Sequence, residues 1–330
     1  MTNPPDQSGQ SAPDPRHADR TADGPAPSRL RRMAASDITY SFLRSPVTVT
    51  AAGLTLLIVL AAIFAPWITP QNPFDPANLN LADGFTPPFS ASPISGNWFL
   101  LGTDNQGRDV FSAILYGARI SLLVGGLAVL FAMVLGVSMG LIAGYRGGWA
   151  DTLIMRVADV QLTFPSILLA LLIFGVARGV MPRDLYEETL IIVLIVSIGL
   201  SDWPQYARTV RGATMVEKNK EYIQAARVIG LPAGKIMVRH LLPNVMRPVL
   251  VIATIGLALA IIAEATLSFL GVGMPPTQPS LGTLIRVGQD FLFSGEYWIA
   301  LFPGIALLIL ALSVNLLGDW MRDALNPKLR

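Results

Sequence analysis

Residues 46–67 read PVTVTAAGLTLLIVLAAIFAPW, a run that holds ten Leu, Ile, Val or Phe residues and no charge. Such a run is worth about −3 to −6 kcal/mol on the insertion scale. Its length matches the roughly 20 helical residues needed to cross about 30 Å of hydrocarbon. It begins some 45 residues into the chain, and no small-residue cleavage site follows Ala65-Pro66-Trp67, so it reads as a retained anchor rather than a signal peptide. Five more stretches share its character: 120–143, 157–177, 189–206, 249–270 and 297–318. Span 157–177 has twelve large apolar residues, so its single acid, Asp159, does not cancel a favourable term of about −4 to −7 kcal/mol. The expected fold is an all-α integral membrane protein with six transmembrane helices.

Composition agrees. The chain has 330 residues, 52% apolar and only 14% charged, against roughly 25% charged in a soluble domain. Its mean hydropathy of +0.53 excludes an ordinary water-soluble enzyme. There is no cysteine, and the two histidines, His17 and His240, lie far apart, so disulfides, thiolate catalysis and a metal centre are not expected. Asp104-Asn105-Gln106-Gly107 lacks the distal Glu and the spacing of a calcium loop and reads as a turn entering an interfacial helix. Gly234-Lys235 is followed by Ile236, and Gly230 stands one position too close for a phosphate-binding loop. Any ATP hydrolysis therefore belongs to another chain.

Charge placement sets an orientation. Segments 1–45, 144–156, 207–248 and 319–330 hold 19 of the 24 Lys and Arg residues, and the three remaining segments hold five. The positive-inside bias then puts both termini and the 207–248 loop in the cytoplasm. Residues 1–36, rich in Pro, Ser, Gly and Asp, are expected to form a disordered cytoplasmic tail. Residues 37–67 form an extension carrying the first span, 68–119 an external loop, 120–318 a five-helix core, and 319–330 a cytoplasmic tail. Arg29, Arg31 and Arg32 serve as topology determinants or touch anionic membrane lipid. No feature points to nucleic acid.

Three acids fall within the spans, Asp159, Asp202 and Glu264; Asp159 and Asp202 lie near cytoplasmic ends, where water and the neighbouring Arg156 or Arg208 can serve them, and read as structural. Glu264 is sixteenth in its 22-residue span. An unpaired charge there costs about 3 kcal/mol, so it faces the bundle interior, water or a partner. It reads either as a structural hydrogen-bonding group or as a proton or substrate site. Gly136 and Gly140 have the GxxxG spacing of a close helix contact, with a neighbour in this chain or in another.

The loop 207–248 is the one sizeable segment between spans on the positive side. A loop that long in a compact bundle has structure and a task. Tyr222, Ala225, Ala226 and Ile229 fall at i, i+3, i+4 and i+7, one face of a short amphipathic helix. Two alanines make that face smooth. Gly230 suits a left-handed helix end, Pro232 a second helix start, and Pro243 a turn into the fifth span. Composition leaves two roles open, a basic helix resting on lipid headgroups or a docking helix.

The string Glu221-Tyr222-Ile223-Gln224-Ala225-Ala226-Arg227-Val228-Ile229-Gly230, then nine residues, then His240-Leu241-Leu242-Pro243, resembles the EAA loop of ABC-importer permeases. Leu101-Gly102-Thr103-Asp104 with Gly107-Arg108-Asp109, Phe164-Pro165, Ala263-Glu264-Ala265 with Leu267-Ser268-Phe269, and Asn315-Leu316-Leu317-Gly318-Asp319 resemble the C-type subunit of the dipeptide and oligopeptide (peptide/nickel) transporters. The likeness runs from about residue 37 to the C-terminus. Gln224 departs from it, standing where the family most often has Glu.

The resemblance implies a type I ABC-importer permease fold in the bacterial inner membrane. It implies a second homologous permease, two ATP-binding subunits that hold ATP and Mg, and an extracytoplasmic solute-binding protein. It makes Glu221, Tyr222, Gln224, Ala225, Ala226, Arg227, Gly230, His240 and Pro243 the ATPase-coupling residues. The implied cargo is a di- or oligopeptide, with a nickel chelate or other small solute as the alternative. A proton-coupled secondary transporter using Glu264 and a non-transporting scaffold are the rival classes.

Overall fold

The computed structural model describes residues 42–69, 72–75, 79–180 and 186–325. The chain divides into two compact units, Met1–Arg44 and Ser45–Arg330. The expected tail at 1–36 lies outside the described residues, as do residues 326–330 of the C-terminal tail. The helical bundle belongs to the second unit.

Helix α1 (Pro46–Ile63) starts where Ser45 caps it, its hydroxyl accepting from Thr48 N–H at 3.3 Å, with Pro46 in the first turn, where a missing N–H costs nothing. Its buried residues are small, Thr48, Ala51 and Ala62, while Leu54, Leu56, Leu57 and Leu60 point outward. That is the pattern of a helix whose solvent is lipid. Pro66 sits in the first turn of α2 (Ala65–Ile68), so the first span is two short helices hinged at Phe64.

Residues 79–109 form a compact cap. A two-stranded antiparallel hairpin, β1 (Ser90–Ala91) and β2 (Trp98–Phe99), pairs Ser90 with Phe99 and Ala91 with Trp98. Asp83 accepts from Ser92 and Asn80, and its carbonyl accepts from Thr103 Oγ1 at 2.6 Å. Asp104 Oδ1 takes the N–H groups of Gln106 (2.8 Å) and Arg108 (2.9 Å). Burial nevertheless raises the Asp104 pKa above the usual carboxylate value. Gly107, at φ +74°, closes this turn with no room for a side chain, since a Cβ would lie 2.1 Å from the Asn80 carbonyl. Asp109 then caps α3 by accepting from Ser112 N–H at 2.9 Å.

Helix α3 (Val110–Arg146) has 37 residues, about 55 Å at the α-helical rise. It is the spine of the fold. Its GxxxG face answers the question left by the sequence: the neighbour is α6 (Tyr186–Glu217) of the same chain. A Cβ on Gly136 would come within 2.5 Å of Trp203 O, on Gly140 within 2.5 Å of Ala207 O, and on Gly144 within 2.7 Å of Thr214 Cβ. The backbones touch because no side chain intervenes.

The span expected at 157–177 differs. The chain there forms α4 (Gly148–Leu162) and α5 (Ser166–Val180), bent by 99° at Thr163–Pro165. Pro165 has no N–H to give the Gln161 carbonyl, which takes Phe164 N–H instead at 3.1 Å. The membrane thus meets five long apolar helices and one elbow, six spans if the elbow crosses.

Helix α6 contains Pro204, which leaves the Leu200 carbonyl without its helical donor. Gln161 of α4 fills the gap. Its amide donates to Leu200 O (2.6 Å) and Ser201 O (3.1 Å), while its own oxygen accepts from Trp203 Nε1 at 3.0 Å. After the loop helices α7 (Glu221–Val228) and α8 (Ala233–Lys235), the chain runs through a wider π-helical turn, Ile236–Leu241, into α9 (Leu242–Phe269). The expected turn at Pro243 is absent. Proline is tolerated in a first helical turn, and here Pro243 occupies that position in α9.

Helix α10 (Leu281–Gln289), capped by Ser280, and α11 (Trp298–Leu325) complete the bundle. Trp298 Nε1 donates to Thr103 O at 3.1 Å, tying α11 to the cap.

Candidate functional site

The loop between α6 and α9 presents one surface. Ile229, the C-cap residue of α7, is followed by Gly230 at φ +83°; Leu231 N–H returns to Ala226 O at 3.1 Å and Gly230 N–H to Arg227 O at 2.9 Å. This closure satisfies the last carbonyls and reverses the chain, as the sequence predicts for Gly230.

The buried stripe of α7 is not the expected one. Ile223 (0% exposed) and Ala226 (5%) turn inward, joining Val137, Leu141, Val210, Ile236 and Leu241 in one apolar cluster. Tyr222, Ala225 and Ile229 are exposed, and Val228 with them. Ala226, expected on the docking face, instead anchors the helix to the bundle. The two readings share helical spacing, and only the packing partner separates them.

Polar contacts hold the loop in place. Tyr222 Oη donates to Glu217 Oε1 at 2.6 Å and accepts from Asn244 Nδ2 at 3.1 Å, so it bridges the end of α6 to the start of α9. Burial and the neighbouring Glu217 carboxylate push the Tyr222 phenol up to about 12. It stays a donor throughout the physiological range. Asn244 also donates to the His240 carbonyl at 2.7 Å, which gives half-buried His240 a backbone part in the clamp. Lys218 Nζ reaches Gly144 O at 2.6 Å, at the carbonyl end of α3, where a cation is favoured. The Arg227 guanidinium lies over the Tyr145 ring, 5.2 Å from its centre. Glu221, in the first turn of α7, and Gln224 are exposed; so is Pro243.

The net arrangement is a small rigid platform whose outer face carries Tyr222, Ala225, Val228 and Ile229 beside the charged Glu221 and Arg227. Val228 is 88% and Ile229 76% exposed. Apolar side chains this exposed beside charged groups, at the end of the bundle rather than on its flank, suit a protein partner.

The span acids Asp159 and Glu264 resolve differently. Asp159 accepts from Arg208 Nη2 at 2.6 Å with both side chains about half exposed, 55% and 56%. A second pair, Asp151 with Arg211, also joins α4 to α6. Glu264 is fully buried. Ser121 of α3 donates to its Oε2 and Ser268 to its Oε1, each at 2.7 Å. Ser121 Oγ also accepts from Leu281 N–H at 3.3 Å, and Ser268 Oγ from Met274 N–H at 3.0 Å. The carboxylate is thus the centre of a cage stitching α3, α9 and the start of α10. Sequence reasoning singled out the acid and missed its partners, because Ser121 lies 143 residues away. It also missed Gln161, although Pro204 signals an orphan carbonyl in need of a donor.

Residues 136–330 match the family described as "Binding-protein-dependent transport system inner membrane component", and residues 35–88 match "N-terminal TM domain of oligopeptide transport permease C". A putative peptide transport system permease protein of Brucella suis biovar 1 (strain 1330) is 40% identical over 299 residues, covering 87% of this chain and 94% of that protein. A dipeptide transport system permease protein of Haemophilus influenzae is 40% identical, covering 83% and 88%. A glutathione transport system permease protein of Pectobacterium atrosepticum is 38% identical, covering 88% and 89%. Among solved structures, an inward-facing MetNI methionine ABC transporter aligns with a TM-score of 0.49 and 21% identity, over 64% of this chain and 94% of that one.

Proposed function

The chain belongs to the family of binding-protein-dependent transport system inner membrane components, and from that premise we propose that it imports di- or oligopeptides as one permease of an ATP-driven transporter. The relatives named for peptides, dipeptides and glutathione support that cargo. The permease itself is not an enzyme. ATP and Mg bind two ATPase subunits, a second homologous permease supplies the other half of the path, and an extracytoplasmic binding protein delivers the solute. Both termini and the 207–248 loop lie in the cytoplasm, as the Lys and Arg distribution favours.

The observation that carries the reading is the exposed face of α7. In this mechanism the bundle has two states, open to opposite sides, and the ATPases bias one of them through their differential contact with α7. The inward stripe of Ile223 and Ala226 passes the displacement to α3, α6 and the π-helical start of α9, all members of one apolar cluster. Nickel chelates and other solutes are the alternative cargo. A proton-coupled mechanism finds no support at Glu264, which is sealed in its serine cage.

The test is Ile229→Asp in the reconstituted transporter. It is expected to abolish ATP-driven dipeptide uptake and co-purification of the ATPase subunit, while the permease inserts and accumulates normally. Unchanged uptake would refute the docking role.

A further inference from the structure

A groove of about 440 Å³ runs along the bundle where the α4–α5 elbow meets α6 and α9. One wall is polar, formed by Gln161, Ser166, Ser201, Asp202 and Gln205, and the facing wall includes Leu259 and Ile262. Asp202 is the fifth residue from the cytoplasmic end of the span expected at 189–206 and lies mid-way along α6. It carries no hydrogen bond or ion pair among the described residues. The nearest cation along its helix, Arg208, is taken by Asp159. A carboxylate within a span calls for water or a cation to meet it. Its counterpart Glu264 has two serine hydroxyls; Asp202 has only the groove.

The surroundings define the missing partner. The site needs a positive charge at Asp202, hydrogen-bonding groups to meet the Gln205 amide and the Ser166 hydroxyl, and apolar bulk against Leu259 and Ile262. A short peptide with a free amino terminus has all three. Its α-ammonium, with an ordinary pKa near 8, is largely protonated at neutral pH. The groove opens on the side of the bundle, so a neighbouring permease can close it into a conduit.

We propose that Asp202 contacts the cargo on the translocation path, its carboxylate receiving the protonated amino terminus of a peptide whose backbone lies along the Gln161–Gln205 wall. This rests on the peptide-importer reading above. Asp202 is then the residue that gives the passing peptide a preferred direction, amino terminus toward α6.

The experiment uses the intact transporter in proteoliposomes, supplied with saturating binding protein loaded with radiolabelled Ala-Ala. Asp202→Asn is expected to lower the maximal uptake rate about tenfold, the loss that one charge-assisted hydrogen bond to the cargo represents. The half-saturating peptide concentration, set by the binding protein, should stay fixed, and stimulated ATP turnover should hold within about twofold. Asp202→Glu, which keeps the charge, should restore most of the uptake. Wild-type uptake rate in Asp202→Asn, or a parallel loss of ATP turnover in both variants, overturns the assignment while leaving the peptide importer standing. A wild-type transporter that moves no Ala-Ala overturns both.

Discussion

The end of the bundle at Glu264 and the end at α7 solve opposite problems. Around Glu264 the polar groups have found partners within the chain: two serines on the carboxylate, and backbone N–H groups of Leu281 and Met274 on those serines. At α7 the chain completes its own helix cap and buries Ile223 and Ala226, yet leaves Val228 and Ile229 facing outward. One end is closed by its own side chains, and the other leaves large apolar side chains exposed. Substitutions that touch self-completed structure should cost folding stability, and those on the outward face should cost only work done with a partner.

The sharpest way to break that contrast lies within α7 itself. Ala226→Arg forces a charge into the apolar cluster and is expected to destabilise the permease by about 3–5 kcal/mol, read as loss of detergent-soluble protein and a lower thermal midpoint. Ile229→Asp, three positions on, should leave both unchanged. Glu264→Ala strands two buried hydroxyls and should cost about 3 kcal/mol, whereas Glu264→Gln, which keeps an acceptor for the serines, should cost about 1 kcal/mol in the same thermal assay. If the Gln variant retains ATP-driven uptake, Glu264 holds the bundle and transfers no proton. Gln161→Ala reopens the Leu200 carbonyl left by Pro204 and is expected to cost about 1–2 kcal/mol. The smallest effect belongs to Arg208→Ala: its ion pair with Asp159 is half exposed, and such pairs contribute about 0–1 kcal/mol. A thermal shift larger than that of Gln161→Ala would reverse the ranking.

Legibility in the sequence depends on which forces are local. Uninterrupted apolar runs announce spans because each insertion energy is a sum over its own residues, and helices α1, α3, α6, α9 and α11 lie where those sums are favourable. Gly230 announced its helix end for the same reason, since a left-handed residue is a property of one position. Proline was ambiguous. Pro165 breaks a helix and Pro243 sits in the first turn of one, and the difference depends on whether the preceding turn can widen, as Ile236–Leu241 does. The inward stripe of α7 was misassigned because Ile223 with Ala226 and Tyr222 with Ala225 and Ile229 are both helically spaced. Choosing between them requires knowing what lies above. The partner of the Gly136–Gly140 face and the serines around Glu264 were illegible because those contacts join residues far apart in the chain.

The wide turn at Ile236–Leu241 has one more consequence. From Ala233 to Phe269 the chain follows an unbroken helical path, which places Glu264 about 40 Å from the platform at the helical rise. A continuous rod of that length acts as a lever. Gripped by the serine cage near its far tip, such a rod would tilt about that point, so a push at its foot would displace the foot most and the caged end least.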